Sequence, residues 1–208
     1  QSISPVMRAL GEVQSRRMLD LRMPTGGHVV KLSEHVVEGG HVLSGDLLVQ
    51  LSTSDAQSDL LRSEADVKDA LDELAEAKRA LALMQDELKA AKEQESLRLR
   101  ALARQIDLKE RGVGTAAAVE NAELAASSAT QALLSKRSSL DQVRSRGDQA
   151  GTRLSRANLA LDDARRRLED TSLIAEFDGV LGGVNLVKGG LVGPNERLGQ
   201  LIDPSALE

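Results

Sequence analysis

Two short segments of this chain, one near each end, repeat the same pattern at a constant spacing of 150 residues. The matching positions are Val37 and Val187, Gly39 and Gly189, Gly40 and Gly190, Val42 and Val192, Leu48 and Leu198, Gln50 and Gln200, and Leu51 and Leu201. Both segments contain short valine- and leucine-rich runs separated by glycines, which is typical of β-strands joined by tight turns. Each half, at about 30 residues, is too short to bury a core alone. We therefore expect the halves to form one small β-domain that a long insertion interrupts.

The insertion has the composition and the periodicity of two long helices. It is rich in Ala, Leu, Glu, Lys, Arg and Gln, and the whole chain has one Phe and neither Trp nor Tyr. Apolar residues recur every seven positions, as they do along a coiled-coil seam. In the first helix they are Leu60, Val67, Leu74, Leu81, Leu88 and Leu102, and in the second Val119, Ala126, Leu133, Leu140, Leu154, Leu161 and Leu168. Glu95 and Gly147 interrupt the two series. The pattern predicts an antiparallel helical hairpin over residues 54–171.

Glycines and capping residues predict where the two helices begin and end. Gly112 and Gly114 indicate a tight turn, so the tip of the hairpin is expected near residues 109–115. Thr115 is a good N-cap for the second helix, and Ser54 or Asp55 for the first.

A turn centred near Gly112 also predicts which residues lie opposite one another. The numbers of opposing residues should sum to about 225, and opposite charges then meet along the hairpin. The predicted pairs are Asp59 with Arg166, Asp69 with Arg156, Asp72 with Arg153, and Arg104 with Glu120 and Glu123.

Composition excludes several classes of function. The net charge of −5 mixes both signs along the helices, so no basic surface for nucleic acid is evident. The absence of cysteine excludes disulfides, thiolate metal sites and cysteine nucleophiles. No P-loop, Ser/His/Asp arrangement or other catalytic constellation is apparent, so the chain is not expected to be an enzyme.

Histidines and methionines give no regular ligand pattern. The spacing of His28, His35 and His41 fits surface positions on strands and turns better than a metal cluster. The thioethers of Met7, Met18 and Met23 could bind Cu(I), but their spacing is also irregular. We expect neither a metal nor a cofactor.

These motifs together resemble the periplasmic adaptor proteins, also called membrane fusion proteins. The segment from Gly27 through Val37-x-Gly-Gly-x-Val-x-x-Gly-Asp-x-Leu resembles the first half of their split lipoyl-like domain. Leu173-Ile-Ala-Glu-Phe-Asp-Gly-Val, followed by Val187-x-Gly-Gly-x-Val, resembles the second half. The tip resembles the family's channel-docking signature of Arg, three residues, Leu, six residues and Ser, which here reads Arg104, Leu108 and Thr115. Thr115 replaces the serine, and Glu176 stands where the family often has proline.

The resemblance implies an α+β fold in which a long antiparallel α-helical coiled-coil hairpin is inserted between two halves of a small lipoyl-like β-sandwich. The expected boundaries are 21–53 and 172–204 for the split lipoyl-like domain and 54–171 for the hairpin. Gly39, Gly40, Gly189 and Gly190 are the expected turn glycines of the two halves. Residues 1–20 would be a remnant strand or linker from an adjacent β-barrel or membrane-proximal domain. The chain would therefore be a fragment of a longer adaptor.

The resemblance also implies the partners and the location. An adaptor of this family links an inner-membrane transporter to an outer-membrane channel, and its subunits form a homo-oligomeric ring, often a hexamer. It would lie in the periplasm, anchored to the inner membrane upstream of residue 1. The tip signature favours an efflux pump of the resistance-nodulation-division type, while a haemolysin-type (type I) secretion system or an ATP-driven pump remains an alternative.

Two other classes fit less of the chain. A lipoyl or biotinyl carrier needs a lysine at the turn joining its two halves, where this chain has Leu51-Ser-Thr-Ser-Asp, and Lys31 and Lys188 lie elsewhere. A structural coiled-coil protein would explain the hairpin but not the repeated flanks.

Overall fold

The computed structural model describes residues 15–205, which form eight strands and two helices. The elements are β1 (Met18–Arg22), β2 (Gly27–Leu32), β3 (His41–Val42), β4 (Leu47–Leu51), α1 (Ser54–Glu110), α2 (Ala116–Glu169), β5 (Ser172–Ile174), β6 (Gly179–Gly182), β7 (Leu191–Val192) and β8 (Arg197–Ile202). The chain divides into two compact units, Gln1–Arg62 with Asp162–Glu208, and Ser63–Leu161. The fold is α+β, as predicted, with a helical hairpin inserted between the halves of a small antiparallel β-domain.

The β-domain consists of two four-stranded sheets that are built alike. One sheet has the order β1-β8-β6-β3 and the other β5-β4-β2-β7. Strands β3 and β4 of the first half match β7 and β8 of the second in the 150-residue repeat. Each half gives its two-residue strand to the sheet of the other half, because β3 pairs with β6 and β7 pairs with β2. Neither half has a complete sheet without the other, which is why one half alone cannot form the domain.

The core of the β-domain draws on both halves and contains the repeated apolar positions. Val42 and Val192 are both buried, as are the repeated leucines at 48, 198, 51 and 201. The repeated valines at 37 and 187 are exposed in both halves. The repeat therefore conserves burial as well as residue type.

The hairpin is held by a half-buried heptad seam. The predicted seam residues of α1 are all partly buried, and three of the predicted seam residues of α2, Ala126, Leu133 and Leu161, are buried. Glu95 occupies its seam position partly buried. In a two-helix structure the partner helix covers only one side of the seam, so partial burial of most seam residues is the expected result.

Salt bridges between the two helices confirm the predicted register but correct its partners. Glu73 pairs with Arg153 at 2.5 Å and Glu87 with Lys136 at 2.7 Å, and their residue numbers sum to 226 and 223. Near the base of the hairpin, Asp59 lies 3.7 Å from Arg167.

The individual charge pairs predicted from the sequence differ by about one residue or are missing among the described residues. Arg153 pairs with Glu73 rather than Asp72, and Arg166 bonds to Asp163 of its own helix. The sequence predicts the alignment of the two helices only to within one or two residues. This is too coarse to identify ion-pair partners, because a long side chain reaches neighbours one position or one turn away.

The helix ends also refine the prediction. Helix α1 already includes Ser54, so Thr53 occupies the N-cap position, and its carbonyl accepts a hydrogen bond from the Gln57 amide at 2.8 Å. Strand β1 begins at Met18, inside the segment 1–20 that was expected to belong to a neighbouring domain. Residues 1–14 of that segment lie outside the described residues. Over 15–205, neither helix contains a stretch apolar enough to cross a membrane.

Candidate functional site

The tip of the hairpin is a tightly capped helix end. Gly112 has φ of +81°, and its amide donates to the Lys109 carbonyl at 3.0 Å, while the Val113 amide donates to the Leu108 carbonyl at 3.1 Å. This pair of bonds is the Schellman motif, in which a glycine in the left-handed conformation ends a helix. The Gly114 amide also donates to Leu108, at 3.0 Å. The backbone at Leu108 is therefore fixed by the turn itself.

Thr115 begins the second helix, as predicted. Its hydroxyl oxygen accepts a hydrogen bond from the Ala118 amide at 3.2 Å, and its carbonyl accepts one from Val119 at 3.3 Å. A threonine hydroxyl that accepts this capping bond can still donate its own proton. Because Thr115 is exposed, that donor faces solvent.

Arg104 and Leu108 lie one helical turn apart and are both exposed. Residues four apart on a helix share a face. Among residues 15–205, the side chain of Arg104 has no hydrogen-bond or salt-bridge partner, so the expected contacts with Glu120 and Glu123 are absent. Arg104 lies two positions after the seam residue Leu102, which directs its side chain away from the partner helix. Leu108 exposes 39% of its surface.

The apex also carries an apolar residue that the docking signature does not include. Val113 is 75% exposed between Gly112 and Gly114, and Ile106 is 41% exposed on the last turns of α1. The position of Val113 between two turn glycines is the sequence signal that could have identified it as an exposed residue of the apex. With Leu108, the tip therefore has three exposed apolar residues within a few positions of an unpaired guanidinium.

The predicted turn glycines form two equivalent turns in the β-domain. Gly39 and Gly189 have φ of +78° and +84°, a region that favours glycine. The Gly39 amide donates to Leu181 at 2.8 Å, and the Gly189 amide donates to Val29 at 2.9 Å, so each turn bonds to the other half of the domain. At Gly40 and Gly190 glycine is required for a different reason, because the neighbouring backbone leaves no room for a side chain.

A side chain at either of these second glycines would meet a backbone carbonyl. A Cβ at Gly190 would lie 2.9 Å from the Val187 oxygen, and one at Gly40 would overlap the His35 oxygen. The glycine pairs thus meet two different requirements of the same turn, a left-handed backbone followed by a close approach.

The structure offers no carrier lysine where the halves of the domain meet. Strand β4 ends at Leu51, and α1 begins at Ser54. Lys31 and Lys188 are exposed, on β2 and in the loop before β7.

The candidate metal ligands are separate from one another. His28, His35 and His41 are exposed, Met23 is fully buried in the core and Met18 lies on the surface. Met7 lies outside the described residues. Within 15–205, no group of three or more His, Asp or Glu side chains is placed to hold a metal ion.

This chain is similar to known proteins in its structure. No protein-family model and no curated protein sequence matches this chain. MacA from Actinobacillus actinomycetemcomitans is similar with a TM-score of 0.58 at 19% identity, over 94% of this chain and 52% of MacA. A putative efflux transporter from Bacteroides eggerthii gives a TM-score of 0.53 at 16% identity, over 97% and 48% of the two chains.

A third solved structure is a MacA–MexA chimera that contains the α-hairpin domain of Pseudomonas aeruginosa MexA. It gives a TM-score of 0.51 at 15% identity, over 92% of this chain and 49% of the chimera. The chain thus spans about half the length of these three structures. These likenesses confirm the α+β fold with an inserted helical hairpin that was predicted from the sequence.

Proposed function

We propose that this chain is part of a periplasmic adaptor subunit that links an inner-membrane transporter to an outer-membrane channel in a tripartite efflux pump. The subunit is a connector and not an enzyme. Its hairpin spans towards the channel, and its β-domain belongs to the conduit on the transporter side. The spacing of Arg104, Leu108 and Thr115 favours a pump of the resistance-nodulation-division type.

The observation that carries this proposal is the chemistry of the hairpin tip. An exposed arginine without a partner among the described residues lies one turn from an exposed leucine, beside a turn that two caps fix. Because no residue within the described part of the hairpin engages the guanidinium of Arg104, it is free to bind a partner. A partner with carbonyl or carboxylate acceptors and a small apolar pocket would use all three groups.

Arginine suits such a contact because its planar guanidinium donates several hydrogen bonds in a fixed geometry. Leu108 supplies apolar contact area, and the hydroxyl proton of Thr115 gives one further donor. Because the turn is already ordered by its own hydrogen bonds, docking would order little additional backbone, which lowers the entropy lost on binding.

Transport by the full-length adaptor tests the proposal. Arg104→Asp and Leu108→Asp should each abolish export in cells that lack the native adaptor, with unchanged expression and helix content. Matched controls are Arg79→Asp and Leu159→Asp, which change exposed residues of the same types far from the tip along the chain. Export that persists in both tip variants, or is lost equally in the controls, would contradict docking at the tip.

Intact mass distinguishes the adaptor from a carrier domain. With no lysine at the β4–α1 junction, protein expressed beside active lipoyl and biotinyl ligases should have the mass of its sequence. An added cofactor mass would support the carrier function instead.

A further inference from the structure

A groove opens between the two helices in the middle of the hairpin. It has a volume of about 270 Å³, and its apolar lining consists of small residues, Ala77, Ala80, Val143 and Ala150. Gly147 occupies the nearby seam position where the pattern predicts a large apolar residue, and a Cβ there would meet nothing within 4 Å. Gly147 does not itself line the groove, which is open because the seam here is built from small residues on both helices.

The groove lies along one particular edge of the hairpin. In an antiparallel coiled coil, the residues that directly precede the seven-residue apolar series of the two helices lie along one edge. Here they are Glu73 and Ala80 in α1, before Leu74 and Leu81, and Arg146 and Arg153 in α2, before Gly147 and Leu154. All four line the groove, and Glu73 bonds to Arg153 across it. We call this edge the groove edge.

The opposite edge carries a leucine at the same height. Ala70, three residues after the seam residue Val67, is buried and completes the seam of that heptad. Leu71 follows Ala70 directly, which places it on the edge away from the groove, and it is 48% exposed. Lys78 lies on the same edge, one heptad further along α1. Leu71 is close in sequence to Glu73, which lines the groove, so Leu71 and the groove lie at about the same level along the hairpin. We call the Leu71 side chain the knob.

We propose that the groove receives Leu71 of a second copy of this chain that stands alongside in the same direction. Leucine side chains fill such gaps as knobs in holes, and even an enclosed cavity of about 150 Å³ holds a benzene ring. Charge supports a copy of the same chain as the occupant. Within the described residues Glu76 on the groove rim and Lys78 beside Leu71 have no ion-pair partner, and the contact would join them.

Because the groove and the knob lie on opposite edges, the contact is heterologous. Each copy offers its groove to one neighbour and its leucine to the other, so the contact generates a ring or an open chain rather than a closed dimer. The inference deepens the proposed function, since an adaptor ring requires side-by-side copies, and it names the residues between them.

Disulfide crosslinking tests this contact directly, because the chain has no cysteine. The full chain with both Leu71→Cys and Ala80→Cys should form a ladder of dimers, trimers and larger species on oxidation. The two sites are nine residues apart on one helix, about 13 Å along its axis, which is too far for a bond within one chain. An equal mixture of the two single variants should give dimers only.

Leu159→Cys with Ala80→Cys is the matched control, since Leu159 is more exposed than Leu71, at 64% against 48%, but lies on neither edge; this pair should give no ladder. Charge reversal provides a second readout, because Lys78→Glu and Glu76→Lys should each reduce the crosslinked fraction and the double variant should restore it. The absence of a ladder across a concentration series, an equal ladder from the control, or dimers from one single variant alone would overturn the proposal. None of these results would affect crosslinking of the tip to a channel, so the two proposals fail separately.

Discussion

Gln50 and Gln200, equivalent residues of the repeat, each fasten the edge strand of their own sheet. The Gln50 side-chain amide donates to the Thr171 hydroxyl at 3.1 Å, and its oxygen accepts from the Ser172 hydroxyl at 3.1 Å, at the start of β5. The Gln200 amide donates to the Asp20 carboxylate at 3.1 Å, on β1. Glutamine thus attaches an edge strand at both equivalent positions of the repeat, although its partners differ between the two sheets.

Replacing Gln50 should weaken the attachment of β5. Thr171 is buried, and Gln50 is partly buried, so Gln50→Leu removes bonds that water replaces poorly and should lower the local stability by about 1 to 3 kcal/mol. Hydrogen exchange of the Leu51 amide, which donates to the Thr171 carbonyl, measures the loss. Gln200→Leu is the control, because its bond to Asp20 is exposed and should contribute less. Faster exchange in the control than in Gln50→Leu would refute this ranking.

The bond from Gln200 also predicts a pH dependence. Hydrogen bonding from Gln200 is the main cause that holds the pKa of Asp20 below its ordinary value, with Arg197 and Arg22 adding to it. A lowered pKa contributes stability above the unfolded value, near 3.9, and that contribution is lost as the pH falls through the folded value. In Gln200→Leu the pKa of Asp20 should rise, and the stability difference from wild type should shrink in acid. A carboxyl NMR titration of Asp20 that is unchanged by the substitution would contradict this account.

The two glycines of the Gly39-Gly40 turn should differ in their tolerance of a side chain. Gly39→Ala meets open space and bears only the strain of positive φ, about 1 to 2 kcal/mol. Gly40→Ala should be the more destabilising, because its methyl group would overlap the His35 carbonyl and the backbone must move. Denaturant unfolding of both variants compares the two costs. Equal losses would mean that the turn accommodates the methyl group by relaxing.

Replacing the two glycines inside α2 by alanine should increase stability, in contrast to the turn glycines. Gly147 and Gly151 lie within α2, and a methyl group added at either would meet nothing within 4 Å, so close helix contact does not explain them. Replacing both with Ala should raise the stability of the hairpin by about 1 kcal/mol for each site. Gly112→Ala at the tip, where φ is +81°, should lower it. Thermal unfolding followed by helical circular dichroism distinguishes these signs, and a fall in stability for the α2 variant would show that its glycines have a structural role. Export by the α2 variant would then show whether the two glycines provide a functional bend.

The sequence predicted the elements of this fold because its signals are periodic. The heptad leucines specify α1 and α2, and the repeat specifies which strands are equivalent. The exchange of β3 and β7 between the sheets was not predictable, because two-residue strands such as Leu191–Val192 carry too little pattern to choose a partner.

Side-chain partners at the tip were predicted less well than its backbone. The caps at Gly112 and Thr115 follow from local residue preferences and were expected. The isolation of Arg104 depends on its direction relative to the seam, and the exposure of Val113 depends on the shape of the turn. Neither property is encoded in a short motif.

Crosslinking from the tip is the most direct test of the central claim that the hairpin end docks onto an outer-membrane channel. A photoreactive residue placed at Leu108 in the full-length adaptor should give an adduct with the channel in living cells, while the same residue at Leu159 should not. Arg104→Asp introduced into the Leu108 photoreactive chain should remove that adduct without lowering the amount of adaptor. A channel adduct that forms equally well from position 159, or that survives Arg104→Asp undiminished, would contradict the account.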